Sequence, residues 1–111
     1  MLEYLFTNKN VEKILMYLHL HQKANATELS RSFNSSLDPI QKTLRKLEEG
    51  GLLVSFLEGR TRVFQWNPRY PFLPEIQALA EKAYTFLPIH IQETYYQSMK
   101  RKRPRKTLKP L

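Results

Sequence analysis

Apolar residues recur at spacings of three and four in successive stretches of this chain, then alternate in two short runs before the helical period returns. Val11, Ile14, Leu15 and Leu18 form one stripe, which predicts a helix from near Asn8 to about His21, with Thr7 or Asn8 capping its free amides. A second helix is expected after Asn25. Its side chain is placed to cap that helix while Glu28 reaches back, and Leu29 and Phe33 make the buried stripe. Asn34, Ser35 and Ser36 are turn and cap residues, with Ser36 the expected cap of a third helix. Asp38 suits its first turn electrostatically, and Pro39 is tolerated there because first-turn amides lack internal partners. Ile40, Leu44 and Leu47 continue as the inward stripe, and Gly50 and Gly51 stop the helix, one of them in the left-handed conformation.

Residues 52–57 and 61–66 are rich in branched and aromatic side chains, and they flank Glu58, Gly59 and Arg60, a suitable hairpin loop. Asn67 and Pro68 close the second strand. Pro71 and Pro74 then bracket the entry to a fourth helix carrying Ile76, Leu79, Ala80 and Ala83 on one face, and Pro88 ends it. Residues 89–99, with Tyr95 and Tyr96, have poor periodicity and are read as a possible short helix. The expected fold is mainly α with a small β-hairpin. Its order is α-α-α-β-β-α plus that short C-terminal helix, the order of a winged helix-turn-helix. Residues 1–87 form the domain, 88–99 the short helix and 100–111 a basic tail.

With 111 residues there is room for one domain and an appendage. The absence of cysteine removes disulfides, thiolate metal sites and thiol catalysis. No cationic segment followed by a long apolar run opens the chain, so it reads as cytoplasmic and nucleoid-associated, with no membrane partner. Catalysis is not expected: there is no Gly-rich phosphate loop, and no serine has a recognisable histidine and acid context. No cofactor is expected either. His19 and His21 lie about 200° apart around a helix and cannot share a metal from one face.

Charge changes the picture more than composition does. The chain is +8, but seven of its eighteen Lys and Arg fall after residue 99, leaving eleven cations against ten acids in residues 1–99, a net of +1. Any attraction of the folded domain for phosphate must therefore be local. The tail carries Lys100, Arg101, Lys102, Arg103, Arg105, Lys106 and Lys109 with two prolines and few apolar groups, so it is expected to be disordered when free and to neutralise phosphates. Arg101-Lys102-Arg103-Pro104 resembles the Arg-Gly-Arg-Pro core of an AT-hook, except that lysine replaces the glycine that lets such a peptide reach the groove floor.

Leu29 to Phe33, the helix from Ser36 to Leu47, Glu48-Glu49-Gly50-Gly51-Leu52-Leu53 and Glu58-Gly59-Arg60 before a strand ending in Asn67-Pro68 resemble the ArsR-type winged helix-turn-helix regulators. The similarity covers roughly residues 5 to 86. It is greatest to small members with an Asn-Pro-x-Tyr-Pro-Phe-Leu-x-Glu segment after the wing, here Asn67 to Glu75. The resemblance implies that the third helix enters the major groove of double-stranded DNA, that the hairpin touches backbone or minor groove, and that terminal helices form a homodimer. The Cys-x-Cys pair of the metal-sensing members is missing, which excludes a thiolate sensor.

Facing Ile40, Leu44 and Leu47 inward turns Gln41, Lys42 and Arg45 outward, with Lys46 toward one flank. Gln41 suits adenine, and Lys42 or Arg45 suits guanine or phosphate. Ser36 can approach a phosphate, and Arg60, Thr61 and Arg62 on the wing are backbone or minor-groove candidates. Glu48, Glu49 and Glu58 are expected on flanks away from phosphate. Trp66, Phe64, Phe72, Tyr84, Tyr95 and Tyr96 read as core or dimer seam. These residues together point to a sequence-specific transcriptional regulator, a repressor by expectation. The rival readings are a winged-helix adaptor for other proteins and a nucleoid- or RNA-associated protein acting chiefly through its tail.

Overall fold

The computed structural model describes Phe6 and residues 8–97. The order is α1 (Lys9–His21), β1 (Lys23–Asn25), α2 (Ala26–Phe33), α3 (Leu37–Glu49), β2 (Leu53–Glu58), β3 (Thr61–Trp66), α4 (Leu73–Thr85) and α5 (Ile89–Ile91), which runs on into a π-helical turn, Gln92–Gln97. The fold is a winged helix, mainly helical with one small antiparallel sheet in the order β1-β3-β2. No helix among the described residues is long and apolar enough to cross a membrane.

α1 is the hub. Ile14, Leu15, Met16, Tyr17 and Leu18 are all buried, so the helix is covered around most of its girth rather than along the single stripe expected. The reason is that α4, α3, β1 and the C-terminal turn pack around it. Asn8 caps it, its Oδ1 accepting from the Asn10 amide at 2.8 Å, and Asn8 Nδ2 donates to Thr43 Oγ1 at 3.4 Å, tying the start of α1 to α3.

Two joints set the helix-turn-helix. Asn25 Oδ1 accepts from the Glu28 amide at 2.8 Å while Glu28 Oε1 accepts from the Asn25 amide, which is the expected capping box at the start of α2. At its end Asn34 takes φ +53°, and the Ser35 amide bonds back to the Ser30 carbonyl at 3.0 Å, reversing the chain into α3. Ser36 holds the cap position of α3 by its backbone alone. Its side chain makes no capping bond, contrary to expectation, because Pro39 at the third helical position has no amide hydrogen for it to reach.

α3 ends as the glycine pair requires: Gly51 has φ +89°, its amide bonds to the Glu48 carbonyl at 3.0 Å, and the Leu52 amide to that of Leu47 at 3.1 Å. Leu52 thus belongs to the helix stop, and the first long strand begins one residue later than expected, at Leu53. Gly50 is right-handed at φ −78°. A Cβ at Gly51 would meet only Tyr70 at 3.8 Å, so Gly51→Ala is expected to cost about 1–2 kcal/mol through backbone strain alone. Gly50→Ala should be neutral or stabilising by up to about 1 kcal/mol. Urea unfolding of the two variants checks the contrast, and equal midpoints would contradict it.

β1 is absent from the sequence expectation. Three residues are too few for a period to register, yet Asn25 pairs with Val63 and Lys23 with Gln65, completing the sheet. The wing turn is also tighter than expected, with Glu58 paired to Thr61 and only Gly59 and Arg60 between them. Gly59 at φ +66° supplies the positive first position that a two-residue hairpin turn favours. Asn67 closes the hairpin's base, its amide bonding to the Leu52 carbonyl at 2.9 Å and its Nδ2 to the Gly51 carbonyl at 2.7 Å.

The C-terminal segment docks on α1 and α2. Tyr96 is buried against Phe33 and Tyr84, with Tyr95 stacked on Phe33. His21 Nε2–H donates to the Tyr96 carbonyl at 2.6 Å, and the Ser32 hydroxyl donates to the Tyr95 carbonyl. Burial pushes both the Tyr84 and Tyr96 hydroxyls above the ordinary phenol range, so neither ionises at physiological pH. The wide π turn explains the poor periodicity of this stretch, since its side chains leave the helical 3.6 repeat.

Candidate nucleic-acid interface

The capping box and β1 have a joint consequence at the wing. Pairing of Asn25 with Val63 brings the first turn of α2 beside β3, and the gap between that turn, α3 and the hairpin becomes a groove of about 560 Å³. Gln41 and Arg45 line it from α3, and Arg60, Thr61 and Arg62 line it from the wing. Five of the residues singled out from the sequence thus meet in one place. Asn25, Ala26, Thr27, Glu48 and Phe64 complete its walls, and of these Ala26 and Thr27 were not singled out from the sequence. Only the unrecognised strand β1 could have signalled that the start of α2 lies beside the wing.

The inward stripe of α3 is as expected. Ile40 and Leu44 are fully buried, Leu47 is half-buried, and Gln41, Lys42, Arg45 and Lys46 are exposed. Thr43 is also buried, its hydroxyl donating to the Pro39 carbonyl at 2.9 Å. Lys42 and Lys46 do not line the groove. Lys42 forms an i,i+4 ion pair with Asp38 at 3.2 Å, both side chains being about 70 % exposed, so the pair holds the lysine only weakly. Ser36 lies at the far end of α3, on its other flank. Lys100, Arg101, Lys102, Arg103, Arg105 and Lys106 lie outside the described residues.

Glu48 departs from expectation. It lines the groove instead of standing clear of it, and Ser55 Oγ donates to Glu48 Oε2 at 2.6 Å while Arg62 Nη1 donates to Ser55 Oγ at 3.0 Å. Two turns after Gln41, position 48 comes round to the wing side of α3, a proximity that helical spacing alone does not show because it depends on where the hairpin folds. The chain of bonds orients the Arg62 guanidinium from below. The groove therefore carries three guanidinium groups, of Arg45, Arg60 and Arg62, over one carboxylate. That is a local cationic surface in a nearly neutral domain, with planar donors able to fork onto phosphate oxygens or a guanine edge and an amide suited to adenine.

Phe64 and Trp66 are core residues, and so are Tyr84 and Tyr96, but Phe72 at the start of α4 is 61 % exposed and belongs to no described core. Phe86 and Ile89 are similarly exposed at the α4–α5 junction. Among the described residues no three His, Cys, Asp or Glu side chains gather as a metal site.

The fold and this groove define the class as a winged helix with a cationic cleft between its third helix and its wing. Compared with family models, curated proteins and solved structures, the chain matched none.

Proposed function

We propose that this protein is a sequence-specific DNA-binding regulator that lays α3 in the major groove and sets its wing on the adjacent backbone. The observation that carries the reading is the convergence of Gln41, Arg45, Arg60, Thr61 and Arg62 on one open cleft. An exposed helix face beside a cationic hairpin suits the major groove and the phosphates of a duplex, and Arg62, braced through Ser55, is preorganised for a phosphate. The resemblance to ArsR-type regulators supports the same reading and implies a homodimer. Phe86 and Ile89, at 64 % and 67 % exposure on the α4–α5 junction, are apolar groups that a second copy would cover. Repression of transcription follows from the resemblance, since a dimer seated on an operator blocks polymerase.

Selection of bound duplexes from random DNA tests the reading. A palindromic consensus is expected, because a two-fold dimer reads two half-sites. Recovery of no preferred sequence would sink it. Deletion of residues 100–111 from the full chain should weaken binding to every duplex alike and flatten the salt dependence by up to about six logarithmic units per unit of log salt. An unchanged slope would show the tail to be a bystander, and binding lost on deletion without any sequence preference beforehand would favour the tail-driven nucleoid or RNA reading.

A further inference from the structure

We infer that a second backbone grip lies on the flank of α3 opposite the wing, with Lys9 and Lys13 as its phosphate-binding cations; this rests on the DNA-binding reading above. The start of α1 and the turn before α3 enclose an open polar shelf of about 500 Å³. Lys9 and Lys13 border it from one face of α1, four residues apart, and the rest of its rim is uncharged, with three asparagines, Ser35, Ser36 and Pro39. Among the described residues no acid lines it. Glu12, the acid nearest in sequence, is buried and lines a neighbouring cleft with Lys9 and Lys13 instead of the shelf.

Helical geometry places this shelf. Pro39 and Gln41, two residues apart on α3, point about 160° away from each other around its axis. The wing cleft takes the Gln41 and Arg45 side, the shelf takes the Pro39 side, and Asp38, Lys42 and Lys46 face outward between them. A duplex seated with its major groove on that outward face, about 12 Å wide, has a phosphate strand on each flank. Arg60 and Arg62 meet one strand, and Lys9 and Lys13 meet the other. Asp38 lies in the path but is paired with Lys42 at 3.2 Å. The Ser36 hydroxyl does not cap α3, so it remains to donate to a phosphate oxygen. The Asn8–Thr43 bond ties the edge of the shelf to the reading helix.

The test is the salt dependence of affinity of the full chain for a selected duplex and for a random one, in the wild type, Lys9→Gln, and Lys9→Gln with Lys13→Gln. Each phosphate left unneutralised should lower the slope by about 0.9, so about 1.8 for the double variant, with affinity falling equally on both duplexes. Lys13 also sits 5.5 Å over the Phe33 ring and its loss touches packing, which makes Lys9→Gln alone the cleaner arm; its unfolding midpoint should not move. A slope unchanged in both variants, where the wild type binds DNA, overturns the shelf and leaves the DNA reading standing. A loss confined to the selected duplex also overturns it, because the lysines would then be reading bases. No binding by the wild type at any salt overturns both.

Discussion

Replacing Gln41 and Arg45 together by alanine is expected to remove most of the preference for a selected duplex over a random one, while leaving the residual affinity and the fold in place. Both side chains are exposed on α3 and line the cleft, so neither contributes packing that the domain needs. A good bidentate pair to a base edge is worth about 1–3 kcal/mol of discrimination, so two such pairs put the combined loss at roughly 2–6 kcal/mol. On the proposed reading, affinity for random DNA should fall far less, since Arg60, Arg62, Lys42 and the tail would still meet phosphates. Competition gel shifts with the two duplexes measure the difference directly. Retention of the full preference by the double variant would show that α3 is not the reading element.

The second large effect is on stability and comes from the position beside Arg45. Leu44 is fully buried on the inner face of the same helix, within the core that joins α1, α2 and the sheet. Leu44→Ala is expected to cost about 2–5 kcal/mol, the range for a buried leucine whose cavity collapses only in part. Against a whole-domain stability of about 5–15 kcal/mol that is a severe loss, and it should lower the Tm by roughly 10 °C or more. Arg45→Ala, one residue on, should stay within about 0.5 kcal/mol of the wild type. Urea unfolding of the pair separates the buried face of α3 from its exposed face, and a Leu44→Ala cost below about 1 kcal/mol would mean that the helix does not pack as described.

The contrast between these neighbouring residues explains why so much of α3 was legible in the chain. A helix has a fixed angular period, so burying Ile40 and Leu44 determines that Gln41 and Arg45 face out, whatever lies on either side. The same holds for the capping box at Asn25 and Glu28 and for the stop at Gly50 and Gly51, where local bonds between residues a few positions apart decide the geometry. The departures have a different origin. β1 depends on a partner strand about forty residues away, with Lys23 opposite Gln65, and three residues carry no period of their own. Met16 and Tyr17 are buried because other elements happen to cover the second side of α1. Glu48 enters the cleft because the hairpin folds back over it and Ser55 meets its carboxylate.

The chain by itself therefore determined the order of the helices and the two hairpin strands, the inward and outward faces of α3, and the concentration of charge beyond residue 99 in an otherwise nearly neutral protein. These follow from local periodicity, capping chemistry and counting, none of which needs a distant contact. Tertiary structure decided which outward residues share a site. It gathered Gln41 and Arg45 with the wing arginines, put a carboxylate beneath Arg62, and set Lys9 and Lys13 on the far flank. The physical reason is that convergence across elements is fixed by long-range strand pairing and helix docking, whose partners are distant in sequence and leave no pattern in it.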